Sequence, residues 1–271
     1  YYLLLSLPVE LANYAQSRIY IGLNKYQPTD EEINPNLRFV NNKAITILEK
    51  DKALVKAREH GLNWALHKGY IKKLYEQFRK EPYFIEYMNA PQEPGFAEDL
   101  KLLQDFFSDQ PEDDPDLYTL LEDQSLYWAD DIAYVCNIIL AQLAGMKEGK
   151  DMPAHPSLFN NQEDKDFATE LLAHSLAHYK EFVGYIEKFA QNWDLERIAA
   201  TDTILIVMGV AESVAFPQIP VKVTLNEIVE ISKYYSTDNS KMFVNGILDK
   251  IIKHLVQEGI IAKRGRGLVE K

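Results

Sequence analysis

His174 and His178 are the two residues whose spacing most suggests metal chemistry. They stand four residues apart, the spacing that places two imidazoles on one face of a helix in zinc enzymes. The residues between them are Ser-Leu-Ala, without the glutamate that serves as general base in such helices. A catalytic zinc also needs a third protein ligand. We therefore expect an ordinary histidine pair, with neither a metal site nor another cofactor.

Other catalytic patterns are missing from the sequence. It contains no glycine-rich phosphate loop and no Gly-x-Ser-x-Gly turn. Acidic residues are abundant, but their spacing is that of solvated helix faces, which makes a general acid and base pair the less favoured interpretation. Cys136 is the only cysteine, so there is no disulfide framework and no sign of an oxidising compartment. We expect a cytoplasmic protein that is not an enzyme.

Aromatic and basic residues alternate in one stretch of the first half, a combination that can bind nucleic acid. Rings stack on unpaired bases, and cations contact phosphates. Rings at helical spacing more often fill a core, so we favour packing and keep RNA contact as the alternative. The stretch contains Tyr70, Lys72, Lys73, Tyr75, Phe78, Arg79, Lys80, Tyr83, Phe84 and Tyr87.

The charge of the chain limits where nucleic acid could bind. The formal net charge is -12, and the segment from Glu93 to Asp131 has a single lysine among many acidic residues. Such a surface repels polyphosphates. The tail after Ser240 is net positive by contrast. Any RNA-binding surface must therefore be local.

The most specific pattern in the sequence is Phe243–Lys250, which reads Phe-Val-Asn-Gly-Ile-Leu-Asp-Lys. A ring, an amide and a glycine at this spacing could hold an unpaired base. A glycine inside a helix costs up to about 1 kcal/mol relative to alanine, so Gly246 needs a compensating reason. That reason is either close helix packing or the approach of a ligand to the backbone. The alternative for Phe243 is that its ring packs the last helix against the bundle.

The elements that position these residues are predicted to be helices throughout. Apolar residues recur at helical spacing and almost nowhere alternate, which predicts an all-α fold. Pro8 leaves open whether Tyr1–Asn24 is one helix or two. The longest uncharged apolar run of the second half, Thr203–Ala211, is too short to span a membrane. Further helical stretches of the first half are predicted at Phe39–His60, Trp64–Phe78, Pro82–Met88, Glu98–Phe107 and Leu117–Leu143.

The second half begins after a linker at Gly145–Pro156. From Asp164 a long helix is predicted, with one apolar stripe from Phe167 to Phe189. Its stripe also includes Leu171, Leu172, Leu176, Tyr179, Phe182, Val183 and Ile186. The expected helix caps are Asp194, Thr201, a capping box of Thr224 with Glu227, and Gly259 at the end of the last helix.

Three segments together resemble one known family. These are Asn192–Ile198, Ile219–Glu227 and Phe243–Lys250, which in this order and spacing are similar to the NusB family of transcription antitermination factors. The resemblance covers roughly the last hundred residues. It implies a NusB-like helical bundle and an RNA-binding adapter. Such an adapter binds boxA-like single-stranded RNA together with NusE, a ribosomal small-subunit protein, in the RNA polymerase antitermination complex on rRNA operons.

The resemblance also implies site residues and leaves one alternative open. Met242 stands where members often have a basic residue, and Ile206-Val207 stands where Leu-Arg is usual. These departures keep open a protein-interaction scaffold of NusB fold that binds the ribosomal-protein partner with little RNA affinity. The implied RNA contacts are Lys241, Phe243, Asn245, Gly246 and Lys250, and the implied partner contacts are Asp202 and Asn239.

The resemblance divides the chain into three parts. Residues 1–24 would be the N-terminal helix of the NusB-like fold, and the arginine-rich segment usual in the family would lie before Tyr1. Residues 25–150 would be a large helical insertion, acidic in part, as in the long NusB-like proteins of Bacteroidetes. Residues 151–271 would be the NusB-like C-terminal helical domain.

Overall fold

The computed structural model describes residues 1–128, 130–191, 198–237 and 239–264. These residues form fifteen α-helices, a 3-10 helix at Leu126–Trp128 and no β-strand, so the predicted all-α fold is confirmed. The chain divides into two compact units, Tyr1–Pro156 and Ser157–Lys271. Within the described ranges, no helix is both long and apolar enough to cross a bilayer.

The first unit packs its helices around one apolar core. Its described residues form α1 (Tyr2–Leu5), α2 (Leu7–Leu23), α3 (Asp30–Ile33), α4 (Lys43–Lys50), α5 (Lys52–Glu59), α6 (Lys68–Phe78), α7 (Pro82–Asn89), α8 (Phe96–Asp109), α9 (Pro115–Glu122) and α10 (Asp131–Ala144). Helix α8 packs on α4, α7 and α10, whereas α2 packs on α4 and α6. Phe106 and Phe107 of α8 are almost fully buried between these neighbours.

Residues 1–24 form two helices within the first unit. Pro8 lies in the first turn of α2, where its missing N–H removes no helical hydrogen bond. Leu4, Leu5 and Leu11 are fully buried in the core of this unit. The assignment of these helices to a NusB-like fold stays a prediction. The boundary between the units falls shortly after residue 150, where we predict the insertion to end.

Two predicted helical stretches of the first unit are each divided. The predicted helix is interrupted between α4 and α5 at Asp51, whose backbone is extended. Its side chain accepts a hydrogen bond of 2.7 Å from the backbone N–H of Leu54 and so caps α5. The stretch Leu117–Leu143 is divided into α9, the 3-10 helix and α10. Apolar spacing did not reveal either break.

The alternating aromatic and basic stretch of the first unit fills the core, as we favoured. Tyr70, Phe78, Phe84 and Tyr87 are buried. The hydroxyl of Tyr70 donates to Asp114 at 2.9 Å, and that of Tyr87 donates to Asp99 at 2.6 Å. These rings are therefore occupied by packing and internal hydrogen bonds.

The second unit contains a three-helix core with two further helices against it. Its described residues form α11 (Gln162–Ala177), α12 (Tyr179–Phe189), α13 (Ala200–Ala215), α14 (Val221–Tyr235) and α15 (Ser240–Gln257). Helices α13, α14 and α15 pack on one another, α11 and α12 pack on α13, and α12 also packs on α15. After α15, Gly259 has a φ of 74°, the left-handed conformation predicted for this helix end.

The long helix predicted from Asp164 is interrupted at His178, which separates α11 from α12. Its stripe is also less continuous than predicted. Phe182 and Ile186 are buried in the core, whereas Leu172 and Leu176 are 61% and 68% exposed. The α11 half of the stripe therefore contributes only partly buried residues such as Leu171 to the second unit's core.

The predicted capping box at Thr224 is wrong. Helix α14 begins at Val221, directly after Pro220, whose extended backbone (ψ 139°) serves as the N-cap. Thr224 lies inside the helix, and its hydroxyl donates to Glu212 of α13 at 2.5 Å. Burial of this hydrogen bond between two helices explains a threonine here better than a cap does.

Of the two other predicted N-caps, the one at Thr201 is wrong and the one at Asp194 cannot be compared with the structure. The N-cap of α13 is Ala199, so Thr201 is not the cap residue. The hydroxyl of Thr201 lies 3.0 Å from that of Ser236 instead. Asp194 lies outside the described residues.

Candidate nucleic-acid interface

Helix α15 carries all five predicted RNA contacts. Its apolar residues recur every three or four positions, which buries one face against α13 and α14 and exposes the other. The side chains of Lys241, Asn245 and Lys250 are exposed. These three side chains are therefore free to meet a ligand on the outer face of the helix.

Phe243 lies on the buried face of α15. Its side chain is 5% exposed and belongs to the apolar core of the second unit. A ring in this position offers no open face on which a base could stack. The structure therefore corresponds to the packing alternative for Phe243.

The predicted RNA contacts other than Phe243 do not share one face. With about 100° of rotation per residue, Lys241 and Lys250 lie about 180° apart around α15. Asn245 lies near Lys241, and Gly246 lies toward Lys250. His254 follows Lys250 by one turn and contacts α12, so Gly246 and Lys250 flank the α12 side. The four predicted RNA contacts other than Phe243 thus form two pairs, one on each flank of the exposed face of α15.

Gly246 differs from Gly209, a buried glycine of the second unit. A Cβ atom added at Gly209 of α13 would lie 2.6 Å from Cδ2 of Leu248, so this glycine permits the close contact of α13 with α15. A Cβ atom added at Gly246 would meet nothing within 4 Å. Close packing therefore does not explain Gly246. The open position leaves room for a ligand to approach the backbone of Gly246.

Asp202 lies in the first turn of α13 and is buried, with 5% of its surface exposed. Its carboxylate accepts hydrogen bonds from the hydroxyls of Ser236 and, at 2.9 Å, Ser240. Ser240 is the first residue of α15, and its Oγ also accepts from the backbone N–H of Thr237 at 3.1 Å. We call Asp202, Ser236 and Ser240 the Asp202 network. It ties the start of α15 to the start of α13.

The two predicted partner contacts have different surroundings. Asn239 is the N-cap residue of α15 and is exposed, without a side-chain capping bond. Asp202 uses its carboxylate inside the unit and can influence a partner only through the position of α15. Sequence reasoning missed Ser236 and Ser240. Their spacing of four residues across a helix start was the signal that could have revealed them.

The segment after α15 is fixed against the end of α13. Ile261 is buried in the core of the second unit. The amino group of Lys263 donates to the carbonyl of Phe216 at 3.0 Å. Burial lowers the pKa of Lys263 from its ordinary value, an effect opposed by nearby Glu212. Lys263 is thus held by the fold and is a weaker candidate for phosphate contact than the exposed lysines of α15.

His174 and His178 stack with a centroid distance of 5.9 Å, and Nδ1 of His178 lies 3.0 Å from Glu181. Among the residues that the structure describes, no three His, Cys, Asp or Glu side chains are grouped so as to hold a metal ion.

Comparison with known proteins identifies the family of this region. The model of the NusB family matches residues 139–253, which include the whole motif Phe243–Lys250. The Transcription antitermination protein NusB of Salinibacter ruber is 43% identical over 105 residues, which are 39% of this chain and 66% of that protein. The protein of the same name from Chloroherpeton thalassium is 40% identical over 106 residues, 39% of this chain and 50% of that protein.

The Transcription antitermination protein NusB of Methylacidiphilum infernorum is 38% identical over 93 residues, 34% of this chain and 65% of that protein. The chain thus spans between half and two thirds of the length of the curated relatives it matches. No solved structure matches the chain. Residues 139–253 of the chain thus match the NusB family.

Proposed function

We propose that the chain is a cytoplasmic transcription antitermination factor that acts as an RNA-binding adapter without catalysis. The observation that carries this proposal is the family match over residues 139–253, because it includes α15 and the motif on it. The relatives are themselves named transcription antitermination proteins. The whole protein is acidic, so the adapter would bind RNA through a small local surface.

The proposed ligand is boxA-like single-stranded RNA of rRNA operons. Single-stranded RNA is recognised through the edges and faces of unstacked bases. The exposed amide of Asn245 can bond to a base edge, and the amino groups of Lys241 and Lys250 can contact phosphates. The open backbone at Gly246 allows close approach. Phe243 would act by anchoring α15, because direct stacking on a base requires its ring to leave the core.

The proposed protein partner is NusE within the RNA polymerase antitermination complex. Asn239 is exposed at the start of α15 and can contact a partner directly. Asp202 would contribute by holding that start in place. RNA and partner would then meet on neighbouring parts of one helix, which provides a physical reason for cooperative binding.

A second candidate function is a scaffold that binds the ribosomal-protein partner but has little affinity for RNA. Met242 favours it, because an apolar side chain that is 68% exposed stands where members often have a cation. Val207 also favours it, since this residue is buried in the core and supplies no charge.

The deciding experiment is the binding of labelled boxA-like RNA to the protein, with and without NusE, over a series of salt concentrations. The adapter should bind this RNA more tightly when NusE is present and should not bind a scrambled sequence. Affinity should fall with salt, with a logarithmic slope of about -0.7 for each phosphate contacted. Binding of NusE without any preference between the two RNAs would overturn the adapter and establish the scaffold.

A further inference from the structure

Four side chains form a mixed aromatic and basic cluster where α12 packs on α15. The ring of His254 lies 5.4 Å from that of Phe189 and 6.1 Å from that of Tyr185, centroid to centroid. The amino group of Lys188 lies 3.0 Å from Nε2 of His254 and 5.4 Å from the centroid of Phe189. We call these four residues the α12–α15 cluster. The sequence motif does not include any of them.

The rings of this cluster remain partly open to solvent. Tyr185 and Phe189 pack against the core of the second unit but are only half-buried. His254 is also half-buried, and Lys188 is exposed. The cluster therefore differs from the aromatic stretch of the first unit, whose rings are mostly buried. Partly exposed rings beside a cation can serve as a stacking platform for unpaired bases.

Lys188 is surrounded differently from the paired lysines of the second unit. Its amino group can only donate, so Nε2 of His254 accepts the hydrogen bond. The other neighbour of Lys188 is the phenyl ring of Phe189. Lys233 and Lys253 in the same unit are instead paired with Glu230 and Asp249 at 2.6 and 2.7 Å. Among the described residues, no carboxylate makes an ion pair with Lys188 or Lys250.

The cluster continues the α12 flank of the RNA motif. Gly246, Lys250 and His254 follow one another at intervals of one helical turn. The row from Gly246 to His254 is about 12 Å long at 1.5 Å per residue. Glu258 comes one turn after His254 and is exposed. Its negative charge disfavours the binding of an anionic ligand beyond His254. The row thus leads from the open glycine to the cluster and ends there.

We propose that single-stranded RNA extends from Gly246 along this row to the α12–α15 cluster. Phosphates contact Lys250 and Lys188, and a base stacks on the exposed part of Tyr185 or Phe189. This inference rests on the proposed function. It adds a second RNA contact region, built by α12 together with the last turns of α15.

The test compares a short boxA-like RNA with one twice as long that extends beyond it in both directions. The variants are Lys188→Ala and Tyr185→Leu, which retains apolar packing. Lys222→Ala is the matched control, because Lys222 is also exposed and lies on α14. Lys188→Ala should weaken the long RNA and reduce its salt slope by about 0.7, with little effect on the short RNA. Tyr185→Leu should weaken the long RNA at least about five-fold.

Three outcomes separate the possibilities. Selective weakening of the long RNA by both variants, with Lys222→Ala unchanged, supports the extended path. If both variants bind the long RNA as the control does, while Asn245→Ala loses the short RNA, the extension is wrong and the adapter function stands. If the unaltered protein binds neither RNA, the adapter function itself fails and the extension fails with it. Thermal unfolding of each variant verifies that the fold is intact.

Discussion

The two units use the same residue types in opposite ways. In the first unit, aromatic and basic residues stand close together in the sequence, but most of the rings are buried and Lys73 pairs with Asp116. In the second unit, the α12–α15 cluster keeps partly exposed rings around Lys188, which has no acidic partner among the described residues. Composition alone does not distinguish a core from a binding surface. What distinguishes them is whether the rings remain open and the cations remain without carboxylates.

Buried acids sharpen this contrast. In the first unit Asp99 is 1% exposed and accepts from Tyr87 and from the backbone N–H of Lys43 at 2.8 Å. Burial raises the pKa of Asp99, and burial beside that carboxylate raises the pKa of Tyr87. In the second unit the Asp202 network positions the helix that bears the motif. One buried acid thus stabilises a core, and the other also positions a candidate site.

The largest effect is expected at Phe243. Truncation of a buried Phe to Ala costs about 3–5 kcal/mol, so Phe243→Ala should unfold at much lower denaturant concentration. Phe243→Leu retains most of the packing and should keep its RNA affinity. Chemical denaturation and RNA titration of both variants measure this. A folded Phe243→Leu protein that no longer binds RNA would show that the ring stacks on a base, against the buried position described here.

The next effect concerns the Asp202 network. Asp202→Ala leaves the hydroxyls of Ser236 and Ser240 without their charged acceptor, which should cost about 2–4 kcal/mol of unfolding free energy. Asp249→Ala is the matched control, because it removes the same charge from a half-exposed ion pair with Lys253. The control should change stability by less than about 1 kcal/mol. Equal stabilities of the two variants in urea unfolding would mean that the Asp202 network does not hold α15.

Two helical glycines of the second unit, Gly209 and Gly246, provide a smaller, opposite pair of effects. Gly209→Ala forces a Cβ against Leu248 and should destabilise the protein by about 1–3 kcal/mol. Gly246→Ala meets open space and should stabilise α15 by up to about 1 kcal/mol. RNA affinity should fall in Gly246→Ala although the protein is more stable. If Gly246→Ala leaves RNA affinity unchanged, a ligand does not approach the backbone at this residue.

The smallest effect belongs to the first unit. Burial raises the pKa of the Cys136 thiol to about 11. The folded protein therefore holds this proton more tightly than the unfolded chain, so stability falls as pH rises from the usual cysteine range toward 11. Cys136→Ala should lose this part of the alkaline dependence. Urea unfolding at pH 8 and pH 10 measures it, and an identical pH dependence in both proteins would contradict the assignment.

Periodicity in the sequence predicts the all-α fold and most helices, because burial of an apolar stripe determines where helices form. It does not predict their breaks. Asp51 and His178 interrupt runs whose apolar spacing continues across them, and only the cap at Asp51 has a local signal. The types and spacing of Thr224 and Glu227 fit a capping box. The helix nevertheless begins earlier, directly after Pro220, and the hydroxyl of Thr224 donates to a residue of another helix. Such choices depend on tertiary partners.

The candidate site was predictable as a segment but not as a surface. Phe243–Lys250 has a recognisable sequence, whereas the opposite flanks of Lys241 and Lys250 follow only from the orientation of α15. Gly246 and Gly209 are both helical glycines in the sequence. Their different roles depend on whether Leu248 lies against them. The α12–α15 cluster joins residues 66 positions apart, as between Lys188 and His254, and no local pattern links them.

The Asp202 network also has a spectroscopic consequence. The hydroxyl of Ser240 is 2% exposed and is directed at a carboxylate, so its proton should exchange slowly with solvent water. A slowly exchanging hydroxyl proton gives its own NMR resonance. That resonance would report the position of the first turn of α15, without a label, while RNA or a protein partner is added.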